Sequence, residues 1–147
     1  MTGLLHDMDY ERHPDMDDET AGHPRTAMRV LTELDYPPEV VRAIGSHAEY
    51  MGIPRETPME LTLAAVDELS GFLVACAAVR PQGICGLTPK SVKKKLKQPS
   101  FAAAVSREEI ARNVEALGVE LDDHIRVLVE ALEARAGELG LTGAAAA

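Results

Sequence analysis

The sequence predicts an all-α protein, built as a helical bundle. Hydrophobic residues make up 46% of the 147 residues, whereas aromatic residues make up only 3% and tryptophan is absent. The core must therefore consist of Ala, Leu, Val, Ile and Met, a composition that favours helices over strands. Apolar residues also recur at helical spacing between breaks that contain Pro or Gly. The length is enough for one domain with a core of its own.

The first third of the chain predicts three short helical segments separated by turns. Each carries apolar residues at helical spacing, and two of them have Pro in the first turn. The segments are the end of a helix at residues 1–8, a helix at 24–34 and a helix at 38–47. The first of them is too short to be stable alone, so we expect either that it is held by packing or that the natural protein starts upstream. An acidic loop is expected at residues 9–19.

The best-defined element is a long central helix. Residues 57–60 (TPME) form a capping box with Pro at the first helical position, and the helix extends to about Arg80. Between Glu60 and Arg80 the only charged residues are Asp67 and Glu68. A helix that is apolar on nearly every face lies at the centre of its domain, so Asp67 is expected to be buried. A buried carboxylate needs a cation, an Arg or several hydrogen-bond donors.

Three further helices are predicted after Pro81, and the first two follow a polar residue suited to helix capping. They run from a cap at Thr88 to Lys97, from a capping box at Ser106 to Leu117, and from Asp122 to Glu138. The chain is thus organised as a helical core at residues 1–80 and a C-terminal helical extension at residues 81–147, which packs on the same domain.

Charge and cysteine content limit the classes of partner. Fifteen Lys and Arg against 24 Asp and Glu give a net charge of −9, which argues against a polymeric nucleic acid as partner. The sequence shows no signal peptide and no charge-free run of 18 residues, so a soluble, cytoplasmic protein without a membrane partner is expected. Cys76 and Cys85 are interpreted as reduced thiols, buried or incidental, rather than as a disulfide or a zinc site.

The clearest candidate for chemistry is the pair His6-Asp7, which follows the apolar residues Leu4 and Leu5. An imidazole and a carboxylate side by side at the edge of a core are potential metal ligands. The alternative is a simple helix end. Other histidines at isolated positions are more often caps or core residues. This is the interpretation of His13 and His124.

The stretch at residues 3–11 (GLLHDMDYE) resembles the signature of the HD-domain superfamily, and specifically its HDIG type. Most members are metal-dependent phosphohydrolases with an all-α, HD-domain bundle, which the resemblance implies for residues 1–80. The family pattern is a His on one helix, the His-Asp pair on the next and a distant Asp on a later helix. No counterpart of the first helix and its His is found in this chain.

The resemblance also implies a set of metal ligands. The pair and the distant Asp would hold the first ion, and branches of the family with additional histidines suggest further ligands for the same or a second ion. The implied ligands are His6, Asp7, Asp67, His23 and His47. For Asp67 the alternative is a structural pairing with Arg42, with Arg80 or with a hydroxyl group.

Mixed imidazole and carboxylate ligation suits Mn, Fe, Co, Ni or Zn, and suits Mg less well. The resemblance implies a metal-activated water that attacks phosphorus, with Asp7 as the catalytic proton acceptor. The expected substrate is a small phosphate ester, with a nucleotide as the leading candidate.

The only strong basic cluster lies between residues 90 and 97, where Lys90, Lys93 and Lys94 are candidates for holding the substrate phosphate. The alternative is a solvated amphipathic helix that buries Val92 and Leu96.

A second hypothesis comes from a different functional class. The chain would be a degenerate HD module that binds a metal, a nucleotide or a protein partner without turnover. An absent ligand weakens a metal site, and a missing helix leaves apolar surface that a partner could cover. A homodimer is one way to cover it.

Overall fold

The computed structural model describes residues 1–143, and these residues form helices, turns and loops without any strand. The predicted all-α class is therefore confirmed. The helices are α1 (Thr2–Leu5), α2 (Arg25–Glu33), α3 (Pro38–His47), α4 (Pro58–Ala78), α5 (Pro89–Leu96), α6 (Arg107–Leu117) and α7 (Leu121–Glu133), with a 3-10 turn at Glu49–Met51.

The helices group into two compact units. The first unit is Met1–Ala64, and the second begins at Ala65, so the boundary falls inside α4. The division into a helical core at residues 1–80 and a C-terminal extension at residues 81–147 stays a prediction.

The first unit has a small apolar core between α2 and α3. Ala27 and Leu31 from α2 and Ile44 from α3 are buried, and Leu5 of α1 packs against them. Gly45 permits the close approach of the two helices, because a Cβ at this position would lie 2.8 Å from the Met28 side chain. The packing of α1 and α2 on α3 brings the N-terminal residues near the end of α3.

The second unit has a larger core, to which all four of its helical segments contribute. The second half of α4 supplies a stripe of buried residues, and α5, α6 and α7 pack around it. The fully or nearly fully buried members include Leu69, Phe72, Leu73, Cys76, Val92, Ile110, Val114 and Ile125. Val92 is buried and Leu96 partly buried, as expected if α5 is an amphipathic helix.

By length and composition, α4 is also the one helix within residues 1–143 that could cross a membrane. The core helix of a soluble protein meets the same criteria, and the second-unit half of α4 is packed against other helices of that unit. The cytoplasmic location stays a prediction.

The second unit departs from the sequence-based expectations in two places. The last helix ends at Glu133 rather than Glu138, and a series of turns follows. Gly137 and Gly140 lie in those turns, and Gly140 has a φ of +67°, which favours glycine and cannot continue a helix. Asp67 is partly exposed rather than buried, because the buried stripe of α4 runs along a different face of the helix.

The capping box that opens α4 is present, and it is part of a larger polar network. The carboxylate of Glu60 accepts hydrogen bonds from the backbone N–H groups of Glu56 and Thr57, and Arg42 of α3 donates to its other oxygen at 2.8 Å. Glu60 is 1% exposed. Burial would raise the pKa of Glu60, but the two backbone hydrogen bonds and Arg42 outweigh it and leave this pKa lowered.

We predict that Glu60→Ala lowers the free energy of unfolding by about 3 kcal/mol at neutral pH, because it leaves Arg42 and two backbone donors without their acceptor. The contribution of Glu60 should be complete above the ordinary Glu pKa of 4.5. It should disappear as the pH falls through the lowered pKa of the folded state. Urea unfolding at a series of pH values measures both effects.

The matched control is Glu56→Ala, which removes the exposed partner of the same arginine. Its cost should stay within about 1 kcal/mol. Equal costs for the two variants, or a cost of Glu60→Ala that does not change with pH, would contradict the prediction.

Candidate metal site

His6 and Asp7 follow α1 directly. The helix ends at Leu5, but His6 retains helical backbone angles, and its Nδ1 lies 2.9 Å from the carbonyl oxygen of Gly3. This contact with the preceding turn fixes the orientation of the ring. Asp7 is the more open of the two, with 52% of its side chain exposed.

His23 and His47 come from opposite ends of the α2–α3 pair. His23 precedes α2, and its Nδ1 lies 2.7 Å from Oδ1 of Asp9. His47 is the last residue of α3, and its Nδ1 contacts the carbonyl oxygen of Ile44, one turn earlier. Both imidazoles are therefore held at Nδ1 by an oxygen acceptor.

The Nε2 atoms of these two rings and one oxygen of Asp7 meet at a single point. The two Nε2 atoms are 3.3 Å apart. Oδ1 of Asp7 lies 3.4 Å from Nε2 of His23 and 3.6 Å from Nε2 of His47. Ligand atoms at about 2.0 to 2.2 Å from one ion, in tetrahedral directions, lie about 3.3 to 3.6 Å from each other. Asp7, His23 and His47 therefore form a group that could hold a metal ion.

The hydrogen bonds at Nδ1 add a chemical argument for a cation. When Nδ1 of a neutral imidazole donates to an oxygen, the lone pair lies on Nε2. In the neutral forms of His23 and His47, these two lone pairs would face each other and the Asp7 carboxylate. Such an arrangement is repulsive unless a proton or a metal ion lies between the atoms, so the residues fit a divalent cation.

His6 approaches Asp7 from the other side. Its Nε2 lies 3.3 Å from Oδ2 of Asp7, and its ring packs edge-to-face with that of His47, with the centroids 5.0 Å apart. Asp7 thus presents one oxygen to His23 and His47 and the other to His6. We call His6, Asp7, His23 and His47 the His/Asp cluster.

The surroundings keep Asp7 ionised. Interaction with the His47 side chain lowers the pKa of Asp7 most, partial burial opposes it, and the other two imidazoles lower it further. An ionised carboxylate is the form that binds a metal or accepts a proton.

Asp9 is a site residue that the sequence analysis missed. It is buried, its Oδ1 contacts Nδ1 of His23, and its Oδ2 accepts a hydrogen bond of 2.8 Å from the backbone N–H of Ala27, in the first turn of α2. Carboxylates in this position orient a metal-binding imidazole and increase its basicity. The Asp-x-Asp spacing from Asp7 is the available signal in the sequence, whereas residues 9–19 are predicted only as an acidic loop.

Two other polar contacts hold the histidine backbones. The hydroxyl of Tyr50 donates to the carbonyl of His23 at 2.6 Å. Burial raises the pKa of Tyr50, so the hydroxyl keeps its proton. Arg55 donates to the carbonyls of Ser46 and His47, both at 2.8 Å, and so satisfies the C-terminal end of α3.

The remaining candidate residues lie in the second unit. Asp67 is on α4, and its role as a metal ligand stays a prediction that rests on the resemblance. Of the two arginines considered as its partners, Arg42 pairs with Glu60 and Arg80 donates to the carbonyl oxygen of Gly83. His124 is buried and its Nε2 contacts the carbonyl of Ala65, as expected for a structural histidine.

The lysines of α5 differ in their surroundings. Lys93 forms an ion pair with Asp122 at 2.7 Å, and Lys95 lies over the Phe101 ring. Lys90 and Lys94 are exposed. A role of Lys90, Lys93 and Lys94 in binding phosphate stays a prediction.

Comparison with protein-family models, with curated proteins and with solved structures found no match to this chain. The resemblance to HD-domain proteins therefore rests on the residues themselves.

We predict that Asp9→Asn weakens metal binding by about 10- to 100-fold, because the carboxylate that fixes the His23 ring and increases its basicity is lost. Competition with a chromogenic chelator measures the affinity, and far-ultraviolet circular dichroism checks that the helices persist. Asp17→Asn, an exposed position in the same loop, is the control and should leave the affinity unchanged. Equal affinities of Asp9→Asn and the unaltered protein would contradict the role of Asp9.

Proposed function

We propose that this chain is a metal-dependent phosphohydrolase that cleaves a small phosphorylated metabolite, with a nucleotide as the leading candidate. The observation that carries the proposal is the convergence of the Nε2 atoms of His23 and His47 on Oδ1 of Asp7, with both Nδ1 atoms engaged by acceptors. The resemblance of the His6-Asp7 stretch to HD-domain phosphohydrolases adds the reaction class.

The roles of the residues follow from their positions. When bound, a divalent ion supplies a nucleophilic hydroxide at neutral pH and offsets the charge of a phosphate group. His23 and His47 would hold it, together with Oδ1 of Asp7. Because Asp7 is ionised and half exposed, it is also the group that can take a proton from water at the open side of the cluster.

The position of His6 supports a second ligand position next to the first. Its Nε2 faces Oδ2 of Asp7, so this carboxylate could serve two ions at once. The imidazole-rich donor set favours Mn, Fe, Co, Ni or Zn over Mg.

A specific observation favours the second candidate, a non-catalytic module that binds a partner. Met1, Leu4 and Met8 are exposed beside the His6-Asp7 pair, and Leu4 is 84% exposed. Exposed apolar side chains grouped in this way are typical of surfaces that a partner covers, and a second copy of the chain is one such partner. Turnover of a phosphate ester distinguishes the two candidates.

We predict that the purified chain, reconstituted separately with Mn, Fe and Zn, binds one or two ions. The double variant His23→Ala/His47→Ala should lose them, because it removes two converging nitrogen ligands. Plasma mass spectrometry after gel filtration gives the stoichiometry. The reconstituted protein should release inorganic phosphate from at least one member of a panel of nucleotides and sugar phosphates.

His13→Ala is the control, since this histidine lies outside the cluster, and it should retain both metal and activity. Absence of bound metal after all three reconstitutions would refute the hydrolase proposal. Bound metal without release of phosphate from any ester of the panel would favour the binding module.

We further predict that Asp67→Asn lowers the metal content and the rate of phosphate release, because the resemblance assigns this carboxylate to the metal. A residue with only a structural role would change the free energy of unfolding and leave the metal content unchanged. Metal stoichiometry and urea unfolding of the same preparation separate the two. Glu68→Gln, at the adjacent position on α4, is the matched control.

A further inference from the structure

We infer that Tyr10 and Tyr50 form an aromatic rim of the His/Asp cluster that selects phosphate esters whose organic part is a planar ring, such as a nucleoside monophosphate. The inference rests on the proposed function, in that the cluster holds the phosphate end of the ligand. It adds the residues that recognise the other end.

Both tyrosines contact the same member of the cluster. The Tyr10 ring packs edge-to-face on the His23 ring, with the centroids 5.2 Å apart, and the Tyr50 hydroxyl donates to the His23 carbonyl. Nε2 of His23 in turn lies 3.4 Å from the Asp7 carboxylate. The two aromatic rings therefore lie next to the place where the phosphate would be bound.

Within residues 1–143, Tyr10 and Tyr50 are the two aromatic residues with exposed side chains. Tyr10 is 42% exposed and Tyr50 is 43% exposed. The other three aromatic residues are used in packing: Phe72 is buried, Phe101 packs against the second-unit core, and Tyr36 packs against the first-unit core. In a chain with three Tyr, two Phe and no Trp, exposed rings found only beside the cluster indicate a ligand.

The tyrosines are held in a way that suits stacking. The hydrogen bond of Tyr50 and the edge contact of Tyr10 each restrain one end of the side chain, so little conformational entropy is lost when a planar group binds. Stacking of a base on an aromatic side chain strengthens binding by about 5- to 100-fold per ring.

Arg25 completes the rim with a positive charge. It is the first residue of α2, two positions after His23, and its charge acts on the Tyr50 hydroxyl. Its guanidinium donates to the carbonyl oxygen of Met16 at 3.4 Å. A positive charge near Tyr50 suits a ligand that combines a planar ring with an anionic group.

The test compares adenosine 5′-monophosphate with ribose 5-phosphate, which share the sugar and the phosphate and differ by the base. Both are titrated calorimetrically into the Mn-reconstituted protein. The variants Tyr10→Leu and Tyr50→Leu each remove one ring, and Tyr50→Phe keeps the ring without the hydroxyl. Tyr36→Leu removes a ring away from the cluster and is the matched control.

We expect the unaltered protein to bind adenosine 5′-monophosphate at least about 10-fold more tightly than ribose 5-phosphate. Tyr10→Leu and Tyr50→Leu should reduce this ratio several-fold, and Tyr50→Phe, which loses the same hydrogen bond to His23 but keeps the ring, is the reference for Tyr50→Leu. Tyr50→Phe and Tyr36→Leu should keep the ratio. Equal affinities for the two compounds in the unaltered protein, no binding of either, or a preference that survives the loss of either ring would overturn the inference.

The result of this binding test can be distinguished from the result of the test of the proposed function. Tight, ring-dependent binding without phosphate release over hours would refute the hydrolase and leave the aromatic rim established. Phosphate release from both compounds with equal kcat/KM, together with equal affinities, would support the hydrolase and refute the rim. Because the protein has no Trp, quenching of its tyrosine fluorescence gives a second measure of binding at the rim.

Discussion

The geometry of the candidate site depends on one buried carboxylate, that of Asp9. One oxygen contacts Nδ1 of His23 and the other accepts the backbone N–H of Ala27, so a single side chain joins the loop, the start of α2 and the imidazole. A buried carboxylate is stable only when both oxygens have partners, and here both do. Loss of the contact with Nδ1 would remove the hydrogen bond that directs Nε2 of His23 at Asp7.

The same reliance on polar contacts is seen throughout the first unit. Its apolar core is small, with Ala27, Leu31 and Ile44 as the buried cluster, and its helices are short. Helices of this length need tertiary contacts to persist. Arg55 at the C-terminal end of α3 and the buried Glu60 beside Arg42 supply them. His47, the last residue of α3, is thereby fixed by hydrogen bonds as much as by hydrophobic packing.

The sequence predicted the helices better than it predicted where their side chains converge. The capping box at the start of α4 and the basic helix α5 follow from local residue types, which act through contacts between near neighbours. The end of α7 was misplaced because apolar residues continue past Glu133, where the chain forms turns instead of a helix. The burial of Asp67 was overestimated since apolar composition does not reveal which face of a helix is covered.

Within the site, the adjacent residue types made His6 and Asp7 candidates, and the resemblance added His23 and His47 by order and context. The approach of two Nε2 atoms to 3.3 Å depends on the loop between residues 9 and 22 and on the crossing of α2 and α3. No local pattern encodes that distance. Asp9 was overlooked for the same reason. It becomes buried and meets its two partners only when the loop folds back, where the backbone N–H of His23 donates to the carbonyl oxygen of His13.

The contrast between the two sides of the cluster is an observation that supports the proposed function. Structural metal sites are closed by protein ligands on all sides, whereas catalytic sites keep an open position. Here His23 and Asp9 are almost fully buried, while Asp7, Tyr10 and Tyr50 are all more than two-fifths exposed. The open side suits the proposed binding of a phosphate ester, because such a ligand must reach the cluster from solvent.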